Sequence, residues 1–194
     1  MQSVRSCQSV HKNMLATHKH KLKIRRTDSV DDLNEVINLI RVLFVCLGNI
    51  CRSPMAEAVF RDYVNKEGLG DKFFIDSAGL GGWHIGEGPH HGTRKILKKY
   101  NISGEGLIAR KIEADDLDKF DYIIAMDNDN LSGIQRLRKE HPKAYVAKLM
   151  DFVPDADENN VPDPYYTGNF EQVYHLVTMG CRALLEKIKA EHGL

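Results

Sequence analysis

The stretch from Val42 to Pro54 constrains this 194-residue chain more than any other. Val42, Leu43, Phe44 and Val45 form a short, continuous, β-branched and aromatic apolar run, the pattern of a strand buried on both faces. Beyond it, Ala56, Val59, Phe60, Tyr63 and Val64 repeat at helical spacing and mark one apolar face. Ser53 suits the N-cap of that helix, and Pro54 suits its first position, where no backbone N–H is needed. The residues between, Cys46-Leu47-Gly48-Asn49-Ile50-Cys51-Arg52, therefore join the carboxyl end of a strand to the amino end of a helix. An α/β sheet binds anions at such a place, because free N–H groups and the positive end of the helix dipole converge there.

The seven residues have the C-x5-R spacing of a loop that wraps a phosphate-sized dianion above a thiol. Gly48 is expected to supply positive φ and close backbone approach, and Asn49 is the next best residue for a left-handed conformation. The amides of Leu47, Gly48, Asn49, Ile50, Cys51, Arg52 and Ser53 would form a concave anion nest. Arg52 would close it with a planar fork of donors matched to phosphate oxygens. Cys46 lies at the bottom, where helix terminus, nest and Arg52 all favour a nucleophilic thiolate, and Ser53 can donate to its sulfur. The loop is not a nucleotide-binding P-loop, since G-x-x-x-x-G-K-[ST] occurs nowhere in the chain. It is not a zinc site either, because Cys46 and Cys51 have no second closely spaced pair.

VLFVCLGNICRSPMAEAVFRDYV, then DSAG at Asp76–Gly79, then VPDPYY at Val161–Tyr166 resemble, in order, the low-molecular-weight protein-tyrosine-phosphatase family. GGWHIGEGPHHGT and DPYYTGNFE resemble its Gram-positive bacterial type, and the likeness runs from about Val42 to about Ile188. The resemblance implies a metal-independent phosphatase without a cofactor. Cys46 would form a phosphocysteine, Arg52 and the loop amides would hold the phosphate, and Asp163 would act as general acid. On its own an Asp before Pro is ordinarily a turn residue. Tyr165 and Tyr166, which in this family line the ring pocket together with Trp83 and Ile50, lift Asp163 above that. Asn49, Ser53 and Ser77 would brace the loop, and Cys51 would pair with Cys46 on oxidation. The implied partners are phosphotyrosine proteins or small aryl phosphates, with phosphate and other oxyanions as inhibitors, and the implied state is a monomer.

The chain suits one domain with a substantial core. Its 27 basic and 27 acidic residues balance, which gives no pointer to nucleic acid. No apolar run approaches membrane-spanning length, and the four cysteines do not suggest a secreted disulfide framework, so the expected compartment is the cytoplasm. Residues 1–36 are expected to be a basic extension outside a phosphatase domain of 37–194. Residues 1–27 hold Arg5, Lys12, Lys19, Lys21, Lys23, Arg25 and Arg26 and no acid, without the apolar core of a secretory signal. Further on, strands are expected at Phe73–Ser77, Ile108–Ile112, Tyr122–Met126 and Ala144–Leu149, and helices at Thr93–Tyr100 and Asn130–Lys139. Asp151–Asn169 reads as a polar loop. Asn169 with Gln172 forms a capping box before a closing helix whose face carries Phe170, Val173, Tyr174, Val177, Cys181, Leu184, Leu185 and Ile188. The alternation predicts an α/β three-layer sandwich, a central four-stranded parallel sheet flanked by helices with the phosphate loop between strand 1 and helix 1.

His90–His91 reads as a solvated pair at a helix start rather than a metal site, and Asp127 and Asp129 as carboxylates at a helix N-terminus. Arsenate reductases resemble this loop but need further redox cysteines, and only Cys181 follows Cys51. Protein-arginine phosphatases of the same family typically carry Thr where Ile50 stands; an apolar Ile suits an aromatic leaving group better than a guanidinium. A non-catalytic phosphopeptide-binding module would keep Arg52 but has no need of Cys46 or Asp163.

Overall fold

The computed structural model describes residues 39–137 and 143–194. The expected basic extension of residues 1–36 lies outside them. The strands are β1 (Ile40–Cys46), β2 (Phe73–Gly79), β3 (Tyr122–Ala125) and β4 (Tyr145–Lys148). The helices are α1 (Arg52–Lys66), α2 (His91–Lys99), α3 (Asp116–Lys119), α4 (Asn128–Arg136), α5 (Pro164–Thr167) and α6 (Phe170–His192). The strands form one parallel sheet in the order β2-β1-β3-β4.

β1 is bonded on both edges, Cys46 standing opposite Gly79 of β2 and Val45 opposite Ala125 of β3. A strand in that position must be apolar on both faces, which explains the unbroken run from Val42 to Val45. Val42, Phe44, Tyr122, Ile124 and Met126 face one core layer with α1 and α6. Leu43, Val45, Ile123 and Ala125 face the other, with Leu117 of α3 and Ile134 of α4. The architecture is thus the expected three-layer sandwich.

On the first face, Phe60 of α1 makes edge contacts with Phe44 at 5.5 Å and Phe73 at 5.8 Å between ring centres. Burying side chains of this size contributes about 1.5–3 kcal/mol each. α6 begins as its sequence suggests, with the Asn169 side chain accepting from the Gln172 N–H at 3.1 Å. Its buried face includes Leu176, whereas Phe170 and Tyr174 are only partly covered.

The strand expected at Ile108–Ile112 is absent. Lys111 makes one isolated bridge to Gly79, and Ile108 is 64% exposed. The segment is tied down through its backbone while its Ile side chain faces water. The polar loop 151–169 also holds two short turns of helix, the end of a 3-10 turn Leu149–Phe152 and α5.

The chain runs from β1 outward to β2 and then back across to β3. The carboxyl ends of β1 and β3 therefore border the switch point, where open α/β sheets form their crevice.

Candidate active site

Cys46 is the last residue of β1 and Arg52 the first of α1. Four carbonyls of residues 46–51 are taken by surrounding segments. Leu80 N–H donates to Cys46 O at 3.0 Å, Gly81 N–H to Leu47 O at 2.8 Å and His90 N–H to Ile50 O at 2.8 Å. Thr93 Oγ1 donates to Cys51 O at 3.2 Å. Among the described residues no backbone carbonyl pairs with the N–H groups of Leu47, Gly48, Ile50 or Cys51. Asn49 N–H instead reaches Cys46 Sγ at 3.3 Å. Amides left free while four carbonyls are bonded to other segments leave the donors available for an anion beside the sulfur.

Positive φ falls on Asn49, at 56°, and not on Gly48. What the loop needs is a different glycine. A Cβ on Gly79 would stand 3.0 Å from Asn49 N, Gly48 C and Leu47 O, all backbone. Ser53 is not the N-cap; that position belongs to Cys51, without a side-chain cap. The Ser53 hydroxyl lies 3.0 Å from Cys46 Sγ and 3.3 Å from Ala78 O. Asn49 Nδ2 donates to Ser53 Oγ at 2.9 Å and to Ser77 Oγ at 2.8 Å, while its Oδ1 accepts from Arg110 N–H at 2.8 Å. The three expected bracing residues thus come together in one buried cluster.

Arg52 is 2% exposed. Nη2 donates to Asp163 Oδ2 at 2.6 Å, and Nη1 to Val161 O at 3.1 Å and to Asp127. Its Nε is buried and has no partner among the described residues. Burial works against the guanidinium charge, but Cys46, Asp163 and Asp127 outweigh it and hold the Arg52 pKa above its ordinary value. Asp127 does cap α4, accepting from Asn130 N–H at 2.6 Å. The sequence missed its second partner, Arg52, which only the adjacency of β3 to β1 reveals. Asp163 caps α5 in the same manner, accepting from Tyr165 N–H at 3.1 Å.

Cys46, Ile50, Trp83, Asp163, Tyr165 and Tyr166 all line one pocket of about 270 Å³. Trp83 is 71% exposed and Tyr166 77%, so they stand as rim rather than core. His84 lines it too, with Nδ1 2.9 Å from Glu87 Oε2; nothing in the sequence singled it out. Ile50 is buried against Cys51, Ala109 and Phe170.

Cys46 and Cys51 are both free thiols. Burial pushes the Cys51 thiol up to about 12, with Cys46 and Asp163 adding and Arg52 opposing. Cys181 is buried in the core, its Sγ 3.7 Å from Ala56 O. His91 is exposed as expected, while His90 is half-buried. Its Nδ1 accepts from Gly92 N–H at 3.1 Å as the cap of α2, and its ring stacks on Phe170 at 5.1 Å. The His90 and His91 rings lie 4.1 Å apart, so these neighbours do meet, because His90 precedes the first helical turn. Among the described residues no group of three or more His, Cys, Asp or Glu is placed to hold a metal ion.

Residues 41–193 match the family described as low molecular weight phosphotyrosine protein phosphatase. The low molecular weight protein-tyrosine-phosphatase YfkJ of Bacillus subtilis is 53% identical over 156 residues, 80% of this chain and 100% of that one. PtpA of Staphylococcus aureus, a protein of the same description, is 45% identical over 156 residues, 80% of this chain and 98% of its own. The crystal structure of Bacillus subtilis YfkJ matches with a TM-score of 0.77 at 54% identity, covering 79% of this chain and 96% of that one. That of a Drosophila arginine phosphatase matches with a TM-score of 0.71 at 34% identity, covering 76% and 97%.

Proposed function

The chain belongs to the low molecular weight phosphotyrosine protein phosphatase family, and we propose that it hydrolyses phosphotyrosine in two steps through a phosphocysteine at Cys46. The Cys46 thiolate attacks phosphorus, forming an S–P bond as the P–O bond to the phenol breaks. Asp163 gives its proton to the departing phenolate. Water then attacks the phosphocysteine, Asp163 takes a proton from it, and phosphate leaves with the thiolate restored. Arg52 and the loop amides carry the charge on the equatorial oxygens throughout, so the stabilisation is electrostatic and preorganised.

The observation that carries this reading is the Arg52 guanidinium. Its Nε is buried without a partner among the described residues, on the helix start that follows the unpaired loop N–H groups, and it feels the charge of Cys46. A buried unpaired donor costs about 1–3 kcal/mol, and a phosphate oxygen would relieve that cost. Trp83, Tyr165 and Tyr166 give the leaving group aromatic walls, and Ile50 an apolar contact. That lining favours a phenol over a guanidinium. Reduced Cys46 suits a cytoplasmic setting, and no helix of the described residues is long and apolar enough to cross a membrane.

Hydrolysis of p-nitrophenyl phosphate with EDTA present, by the native chain, Cys46→Ser and Asp163→Ala, tests the mechanism. The native chain should turn over in EDTA, Cys46→Ser should be inactive, and Asp163→Ala should lose about 10²–10⁴-fold in kcat. Full activity in Cys46→Ser refutes it. Phosphotyrosine and phosphoarginine peptides assayed side by side test the substrate class.

A further inference from the structure

One acidic side chain behind the loop is used by nothing described so far. Glu57 lies on the first turns of α1 and is 6% exposed. Its Oε2 accepts from Ser77 Oγ at 2.7 Å. Ser77 is the residue that receives one of the two Asn49 amide hydrogens, and the other goes to Ser53, beside the nucleophile.

Each hydrogen in this chain has a fixed direction. Asn49 Oδ1 accepts from Arg110 N–H, so the amide cannot flip and Nδ2 must be the donor to both hydroxyls. Ser77 Oγ, accepting from Asn49, has a single proton left to give, and Glu57 Oε2 takes it. Ser53 Oγ, also accepting from Asn49, has a single proton for Cys46 Sγ at 3.0 Å or Ala78 O at 3.3 Å. Cys46, Asn49, Ser53, Ser77 and Glu57 are all buried, so water cannot replace a lost link.

We propose that Glu57 is a positioning residue for the reaction at Cys46. Its carboxylate draws the Ser77 hydroxyl, orients the Asn49 amide and thereby aims the Ser53 hydroxyl at the sulfur, and protonation of Glu57 slackens that chain. The proposal rests on Cys46 being the nucleophile. A carboxylate is a stronger acceptor than a carboxylic acid or an amide, and in a buried chain each link polarises the next.

Among the described residues Glu57 has no strong cation to hold its charge. On its own helix, Arg61 Nη1 is 3.4 Å away and partly in solvent. From β2, Asp76 opposes the charge; from the segment after α2, Arg110 favours it but is spent on Asp76 and Asp116. Burial is the largest influence, the Ser77 bond and Arg61 oppose it, and the Glu57 carboxyl rises to about 7. The group therefore changes charge near neutral pH.

The test compares native chain and Glu57→Gln on p-nitrophenyl phosphate from about pH 5 to about pH 9. Gln imitates the neutral acid, because its carbonyl still accepts from Ser77. The ratio of native to variant kcat cancels titrations common to both. It should be near one at the acid end and rise through neutrality to about 3–10-fold at the alkaline end, with KM little changed. Ser77→Ala, which cuts the next link at every pH, should give a ratio above one already at the acid end that rises further with pH, and it serves if Glu57→Gln does not fold. A ratio that stays flat with pH in whichever variants fold overturns the proposal. If the native chain shows no Cys46-dependent hydrolysis, the two-step mechanism fails instead.

Discussion

Gly79→Ala tests how tightly the loop from Cys46 to Arg52 is packed. Gly79 ends β2 opposite Cys46, with its N–H on Arg110 O at 2.8 Å and its carbonyl receiving Ile112 N–H at 2.9 Å. Its φ is not in the left-handed region, so alanine is allowed conformationally and would even gain about 0.4–1 kcal/mol by stiffening the unfolded chain. Against that, the new Cβ meets three backbone atoms of the loop at 3.0 Å, where ordinary contact begins at 3.4 Å. Backbone cannot rotate aside. The loop cannot recede freely either, since Leu80 and Gly81 hold Cys46 O and Leu47 O at 3.0 and 2.8 Å. Overpacking of this kind costs about 1–3 kcal/mol, which exceeds the entropic gain. A net loss of about 1–2 kcal/mol lowers Tm by about 2–8 °C in a domain this size. A loop displaced by several tenths of an ångström should also lose about 10-fold or more in kcat, given that about 1 Å of misplacement costs about 10²-fold. Thermal unfolding followed by circular dichroism, with kcat on p-nitrophenyl phosphate, reads both. A variant with native Tm and native kcat would refute the packing argument.

Stability should depend on pH through Glu57. Its folded-state pKa lies near 7 against an ordinary 4.5, so its contribution is fully present below about pH 4.5 and is lost as pH rises through about 7. Glu57→Gln escapes that loss and should gain about 2–3 kcal/mol on the native chain between about pH 5 and about pH 8, read from urea midpoints; a constant difference would contradict the burial argument. Asp127 holds both Arg52 and the first turn of α4, so Asp127→Ala should lower stability by more than the roughly 1 kcal/mol of an ordinary cap and weaken inhibition by phosphate. Loss of the cap increment alone, with phosphate inhibition intact, would show that Asp127 is not needed to hold Arg52. Peroxide should take Cys46 to the sulfenic acid, which condenses with the Cys51 thiol, releasing water; thiol reductant then restores activity. Cys51→Ser should recover less fully after the same exposure, and equal recovery would count against the pairing.

The strand, loop and first helix were legible because each is specified locally, by an apolar run, an Asn able to take φ of 56° and a Pro two residues after Arg52. What was misread was settled by distant partners. Ser53 looks like a cap, yet its hydroxyl is claimed by Cys46 and Asn49. The apolar pattern at Ile108–Ile112 suits a strand, but its backbone pairs with only the last residue of the edge strand β2, Gly79, and otherwise with Gly86 and Glu87. Gly48 drew notice as the glycine within the loop, whereas the steric constraint falls on Gly79, thirty-odd residues later and one strand over. Glu57 sits beside the apolar stripe of α1 and looks like the start of its polar face. Only the pairing of β1 with β2 brings Ser77 to it.

The strand order also accounts for the spread of the site along the chain. Cys46 ends β1, Ser77 and Gly79 end β2, Asp127 follows β3, and Asp163 lies in the long connection after β4. Each strand end thus contributes a different part, and the part farthest along is the proposed acid. Asp163 is engaged with Arg52 Nη2 at 2.6 Å, so the guanidinium proposed to hold phosphate is already held by the carboxyl. A phosphate dianion in the loop would compete for the same donors. On this argument, phosphate binding frees Asp163 from Arg52 and leaves it to face the leaving group. Nuclear magnetic resonance of the Arg52 guanidinium protons with and without inorganic phosphate reads that directly. Arg52 signals that phosphate leaves unmoved would mean that the Asp163 bond survives binding, and that the proton must come from elsewhere.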